Sequence, residues 1–84
     1  QNYPNPFSEQ TTISFNISGD ELVSVDIYDI AGKKLTKLFE DRVSGNHKIT
    51  WNGIDKNGRK LNSGLYFISI KAESGQSIIK VVLH

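Results

Sequence analysis

Apolar and polar positions alternate along most of the chain. In residues 11–17, Ile13, Phe15 and Ile17 fall on one face and Thr12, Ser14 and Asn16 on the other, the two-residue period of a half-buried strand. Residues 22–28 repeat the pattern, with Val23, Val25 and Ile27 together and Ser24 and Asp26 pointing away. Residues 34–39 are irregular, because Leu35, Leu38 and Phe39 keep no fixed period; that predicts an edge strand or a bulged one. Ile49 and Trp51 share a face in 47–52. Residues 65–71 begin apolar on both faces and then alternate, and 77–83 set Ile79, Val81 and Leu83 against Ile78, Lys80 and Val82. No stretch of ten or more residues carries the 3.6-residue period of an amphipathic helix. The chain reads as all-β.

The punctuation agrees. Asp29-Ile30-Ala31-Gly32, Asp55-Lys56-Asn57-Gly58 and Ala72-Glu73-Ser74-Gly75 each place Gly fourth, which suits a type I turn followed by a left-handed residue. Ser44-Gly45-Asn46 and Asn62-Ser63-Gly64 are further breakers. Pro4 and Pro6 force extended backbone at Tyr3 and Asn5 and remove ladder donors, so this segment is expected on or beside a sheet edge. Six or seven short strands at this spacing predict an immunoglobulin-like β-sandwich of about seven mostly antiparallel strands, and a small barrel also fits. The Cys–Trp–Cys pattern of antibody domains is missing, so this prediction rests on strand number and spacing.

Length and composition narrow the function. A chain of 84 residues is one domain, with a thin core. A sequence that opens at Gln1 in mid-pattern reads as a piece cut from the end of a larger protein, with 1–84 as a single sandwich. With no Cys there is no disulfide and no thiolate chemistry. Ten Lys and Arg against nine Asp and Glu give a net charge of +1, spread along the chain; nucleic-acid binding needs a basic stripe that is missing here. No apolar run reaches the roughly 18–20 residues of a membrane-spanning helix. No secretion signal opens the sequence, so any such signal would lie upstream. The oligomeric state is left open.

Candidate chemistry is sparse. His47 and His84 are far apart and read as solvated surface residues, and no His or Cys spacing suits zinc. No serine sits in a strand-to-helix elbow, so no enzyme and no cofactor is expected. Asp55 and Asn57 place oxygen ligands at alternate positions before Gly58, as at the start of a calcium loop. The third carboxylate and the distal Glu are lacking, and a turn stabilised by its own side chains accounts for both residues. Trp51 and Tyr66 read as core, whereas Tyr28 and Phe67 fall on the opposite faces of their strands as an exposed pair able to stack on a sugar. Asn16-Ile17-Ser18 matches a glycosylation acceptor inside a predicted strand.

Ordered blocks carry a more specific signal. Asn2-Tyr3-Pro4-Asn5-Pro6-Phe7, Thr12-Ile13-Ser14-Phe15 and Val25-Asp26-Ile27-Tyr28-Asp29-Ile30-Ala31-Gly32-Lys33 are followed by Trp51-Asn52-Gly53, Asp55, Gly58, Ser63-Gly64-Leu65-Tyr66 and Lys80-Val81-Val82. In this order they resemble the C-terminal sorting domain of cargo exported by the type IX secretion system of Bacteroidetes and related bacteria. The departures are small: Ser8-Glu9 replace an Asn-Pro often found there, and the end is Leu83-His84. The resemblance implies an immunoglobulin-like sandwich that serves as an export address. It also implies an outer-membrane translocon or shuttle that recognises the domain, a sortase-like protease that removes it, and a cargo destined for the cell surface or medium. Gly64, Tyr66, Lys80, Val81 and Val82 match the most characteristic motifs and are the expected recognition residues. Strand addition at the edge formed by the last strand would be one way to read them.

Two other readings compete. The string from Trp51-Asn52-Gly53 to Gly64-Leu65-Tyr66 is also similar to the immunoglobulin-like domain of flagellar hook-capping proteins, which implies a spacer or assembly module. A carbohydrate-binding module would use Tyr28 and Phe67.

Overall fold

The structure, a computed structural model, describes residues 2–3 and 10–84. Its strands are β1 (Asn2–Tyr3), β2 (Thr11–Tyr28), β3 (Lys34–Trp51), β4 (Gly64–Ala72) and β5 (Gly75–Leu83). Every pairing is antiparallel: β2 pairs with β1, β3 and β4, and β4 with β5. No helix occurs among the described residues. The chain is all-β, as its alternation requires. The prolines and Phe7 of the N-terminal block lie outside the described residues; Tyr3, before Pro4, ends β1.

The division into strands differs from the expected one. Residues 11–17 and 22–28 belong to a single 18-residue strand, and so do 34–39 and 47–52. Instead of turning, the chain bulges. Ile17 pairs with Gly45 and the next pair is Glu21 with Val43, so Ser18, Gly19 and Asp20 stand against Ser44 alone. Extra residues on one strand bend and twist the pair without ending it. Two smaller register shifts explain the irregular stretch 34–39. Val25 pairs with Phe39 and Asp26 with Lys37, which leaves Leu38 extra; Ile27 pairs with Thr36 and Tyr28 with Lys34, which leaves Leu35 extra. Each shift resets the strand's alternation, so both leucines pack against the core although their spacing fits no single strand period.

One core serves both halves of the long strands. Ile13 and Ile17, before the bulge, join Val23, Val25 and Ile27 after it, together with Trp51, Ile68, Ile70, Val81 and Leu83. Ile13, Val23, Val25, Ile27, Ile68 and Val81 are completely buried. The sheet therefore curls over its own apolar face. At the bend, Arg42 donates to the Asp20 carbonyl at 3.1 Å and pairs with Glu73 at 3.3 Å, while the Ser74 amide donates to Glu21 Oε1 at 2.7 Å. These contacts clasp the tip of the β4–β5 hairpin to the bulge.

Two of the three predicted Gly turns are built alike. In residues 29–33, Asp29 Oδ1 accepts from the Ala31 and Lys33 amides, and the Gly32 amide donates to the Asp29 carbonyl. In residues 55–59, Asp55 Oδ1 accepts from the Asn57 and Arg59 amides, and the Gly58 amide donates to the Asp55 carbonyl. Gly32 and Gly58 close these turns at φ of 86° and 79°, where a side chain would be strained. The third turn departs from the prediction. Ala72 pairs directly with Gly75 across Glu73-Ser74, and Gly75 is not among the positive-φ glycines. The Ser74 amide of this tip donates to Glu21 across the bend.

Two outcomes follow for stability. Ile68→Ala, at a fully buried position, is expected to cost about 2–5 kcal/mol in denaturant unfolding, whereas Ile30→Ala, 73% exposed, changes stability by less than about 0.5 kcal/mol. The Asp55 carboxyl is held below its ordinary pKa chiefly by the Arg59 amide, with partial desolvation opposing and the Asn57 amide adding to the effect. Its contribution is therefore present above the unfolded-state value of about 3.9 and is lost as pH falls through the lower folded value. Asp55→Asn keeps an acceptor but does not titrate, so its melting temperature should fall less steeply than wild type between about pH 4 and pH 2.

Candidate recognition surface on the β4–β5 hairpin

The blocks at 63–66 and 80–82 are neighbours in the sheet. Gly64 pairs with Leu83, Leu65 with Val82, Tyr66 with Val81 and Phe67 with Lys80. All five expected recognition residues thus lie at one end of one hairpin. They do not all face the same way. Tyr66 and Val81 are buried in the core, whereas Lys80 and Val82 point outward.

Tyr66 is a structural anchor. Its hydroxyl donates to the Asn62 carbonyl at 2.7 Å, four residues upstream, and its ring meets the edge of Trp51 with centroids 5.8 Å apart. Trp51 in turn donates from Nε1 to the Ile54 carbonyl at 3.0 Å. Burial, with the nearby Asp29 charge adding to it, raises the Tyr66 pKa above the ordinary phenol value, so the hydroxyl stays a donor. A tyrosine near a strand start that bonds back to upstream backbone is the tyrosine-corner device of immunoglobulin-like sandwiches. Gly64 precedes it at φ 155°, where a side chain is strained although a Cβ would meet nothing within 4 Å. The Ser63-Gly64-Leu65-Tyr66 block is therefore a corner first.

The outward face is broader than the predicted set. Leu65 and Val82 form one cross-strand pair, and Ile78 faces Ser69 further along; Tyr28 pairs with Phe67 from β2. Tyr28 and Phe67 are half-buried rather than exposed, and with Ile30 and Ile78 they line a depression of about 380 Å³. Ile78 is 64% exposed and Ile30 73%. A cluster of charge borders this patch. Asp26 is buried in the next row, paired with Lys34 and Lys37 at 3.4 Å each, and across from it Ser69 accepts from Gln76. Desolvation lowers the Lys37 pKa, but Asp26 and Glu40 together outweigh it, and the ammonium is held above its ordinary value. Sequence alternation places Asp26 on this face. It could not place the lysines beside it, because their positions depend on the two bulges.

The remaining candidates are structural. His47, expected in solvent, is half-buried and stacks on Phe15 with centroids 5.7 Å apart, with Phe39 at 6.2 Å. The bulged pairing of β2 with β3 brings these rings together. Asp55 Oδ1 is occupied by the turn amides. Among the described residues no group of three or more His, Cys, Asp or Glu could hold a metal ion, and no helix is long and apolar enough to cross a membrane. Asn16, in the glycosylation pattern, is exposed and bonds Asn46.

No curated protein sequence matches the chain. Among solved structures it is similar to PorZ of Porphyromonas gingivalis, described as an essential bacterial surface component of the type IX secretion system. The TM-score is 0.68 at 24% identity, and the match covers 100% of this chain and 11% of PorZ, so it supports a shared fold with a small part of that protein. The model of the secretion system C-terminal sorting domain family matches residues 1–84. The chain belongs to that family, the C-terminal sorting signals of type IX secretion cargo.

Proposed function

We propose that the outward face of the β4–β5 hairpin is the surface by which the type IX system reads this domain. Family membership carries export across the outer membrane to the surface or medium; the finer assignment concerns which residues are read and by what. One observation supports it above the others: the two characteristic blocks, on the opposite arms of one hairpin, meet in register at its open end. Gly64, Tyr66 and Val81 hold that end in shape. Lys80 and Val82, with Leu65, Phe67 and Ile78 beside them, present the contact face to an outer-membrane translocon or its shuttle. Lys80 and Val82 each have a partner that the domain already supplies, and recognition is assigned to the outward row that they share with Leu65, Phe67 and Ile78.

The domain performs no chemistry in this reading; it is a non-catalytic address at the end of a longer cargo protein, and a sortase-like protease removes it after export. The curled sheet acts as the two layers of an immunoglobulin-like sandwich, with the bulge at Ser18–Asp20 dividing each long strand between layers. The tyrosine corner and the single core shared by both halves favour this. Sugar binding at Tyr28 and Phe67 is less well supported, because the depression offers few open polar partners: Asp29 Oδ1 serves its own turn and Gln76 bonds Ser69.

Export of a fused reporter in hosts with and without a working type IX system tests the proposal. Lys80→Glu combined with Val82→Asp should cut export at least tenfold while leaving the melting temperature within a few degrees, since both side chains face outward. Val81→Asp should abolish export through unfolding. Undiminished export of the folded Lys80→Glu/Val82→Asp variant would refute the assigned face. Equal export in both hosts would refute the sorting role.

A further inference from the structure

Among the described residues, β1 pairs with Thr12 and Ile13 of β2. Beyond that point β2 runs on through Phe15, Asn16 and Ile17, in register with His47, Asn46 and Gly45 of β3 on one flank. Among the described residues no strand accompanies its other flank there. Across a gap, the first half of β5, from Gly75 to Ile79, pairs with β4 alone among the named strands. The gap is a depression of about 730 Å³ whose apolar lining includes Phe15, Ile17, Ile70 and Ile79.

We infer that this groove seats the polypeptide through which the cargo enters β1, paired with β2 as a backward extension of β1. The inference rests on family membership, because a C-terminal sorting signal carries its cargo ahead of it. The register supplies the geometry. β1 and β2 are antiparallel, so each step back along the chain from Asn2 is one step forward along β2. An extension in the same register passes along Phe15, Asn16 and Ile17, and it ends where the bulge at Ser18 breaks the ladder. Ser14 already has a partner, so the new pairing is assigned to Phe15–Ile17.

The chemistry of the segment follows. Cross-strand neighbours share a face, so its residues opposite Phe15 and Ile17 point at the groove floor and are apolar, β-branched or aromatic. The residue opposite Asn16 points to solvent and is polar. Proline is excluded wherever the segment must donate to β2. The existing β1–β2 ladder fixes direction and register, so entropy is lost by only a few more residues when the segment docks. Cargo and domain are then joined by a strand and not by a free tether.

Hydrogen exchange read by mass spectrometry tests this in the natural cargo protein. One variant replaces the segment leading into Asn2 with a Gly-Ser repeat. A second replaces it with a Thr-Val repeat, and a third is that repeat carrying a central proline. The Phe15–Ile17 amides that do not serve β3 should exchange at least tenfold faster with Gly-Ser than with the natural or Thr-Val segment. Proline should restore fast exchange, while Val23–Ile27 stay unchanged in all forms. Equal exchange at Phe15–Ile17 in the natural and Gly-Ser proteins would overturn the inference. Export scored on the same proteins keeps the two readings apart. A tenfold exchange difference with no dependence on the type IX system supports the docked segment and refutes the sorting reading. Equal exchange with type IX-dependent export does the reverse.

Discussion

The position of β2 at the centre of the sheet is the constraint on which the other elements depend. Over Ser24–Tyr28 it pairs with β3 on one side and β4 on the other, so its backbone is satisfied on both flanks. Its side chains alternate between a fully dry face of Val23, Val25 and Ile27 and a second face where Asp26 is also buried. Strands covered on both faces tolerate no slip, because a shift by one residue would drive Asp26 into the apolar core and expose the valines. The bulge at Ser18–Asp20 and the two shifts in β3 let long neighbours follow this fixed strand while the sheet curls. The clasp of Arg42 and Glu21 on the hairpin tip then holds the curl in place.

Much of this was legible in the sequence, and the parts that were not share a cause. Strict alternation identified the strands and most core faces, including Ile13, Val25 and Val81, because burial on one side of a strand leaves a period of two. The Asp-x-x-Gly turns at 29–32 and 55–58 were legible because their bonds are local to the turn. What local pattern could not supply was the continuity across residues 18–21 and 44–46. Ser-Gly and Gly-Asn punctuate a turn and a bulge equally well, and only the partner strand decides between them. The same is true of His47, whose partners Phe15 and Phe39 come from pairing distant in sequence, and of Gly75, whose turn is held from Glu21.

For the candidate surface, the order of blocks pointed to one hairpin but not to which of its residues are buried. Gly64, Tyr66 and Val81 resemble the family because the corner and core need them. Lys80 and Val82 resemble it while facing outward. A shared motif thus mixes residues that the core buries with residues that it leaves outside, and burial separates the two. The Asp26–Lys34–Lys37 cluster shows the complementary case: it borders the surface, yet no contiguous motif announces it.

The pairing of β2 with β4 also has a kinetic meaning. The β2–β3 and β4–β5 hairpins close between chain neighbours, but Tyr28 must find Phe67 and Ser24 must find Lys71, contacts far apart in sequence. Joining distant segments pays loop-closure entropy before it gains contacts, and such topologies fold slowly. Docking of the two hairpins is therefore the late event in folding. Until it happens, Tyr28 is not beside Phe67, and the depression that these two rings line with Ile30 and Ile78 has no second wall. A half-folded chain with its hairpins closed therefore carries the outward row of β4 and β5 but not the depression beside it.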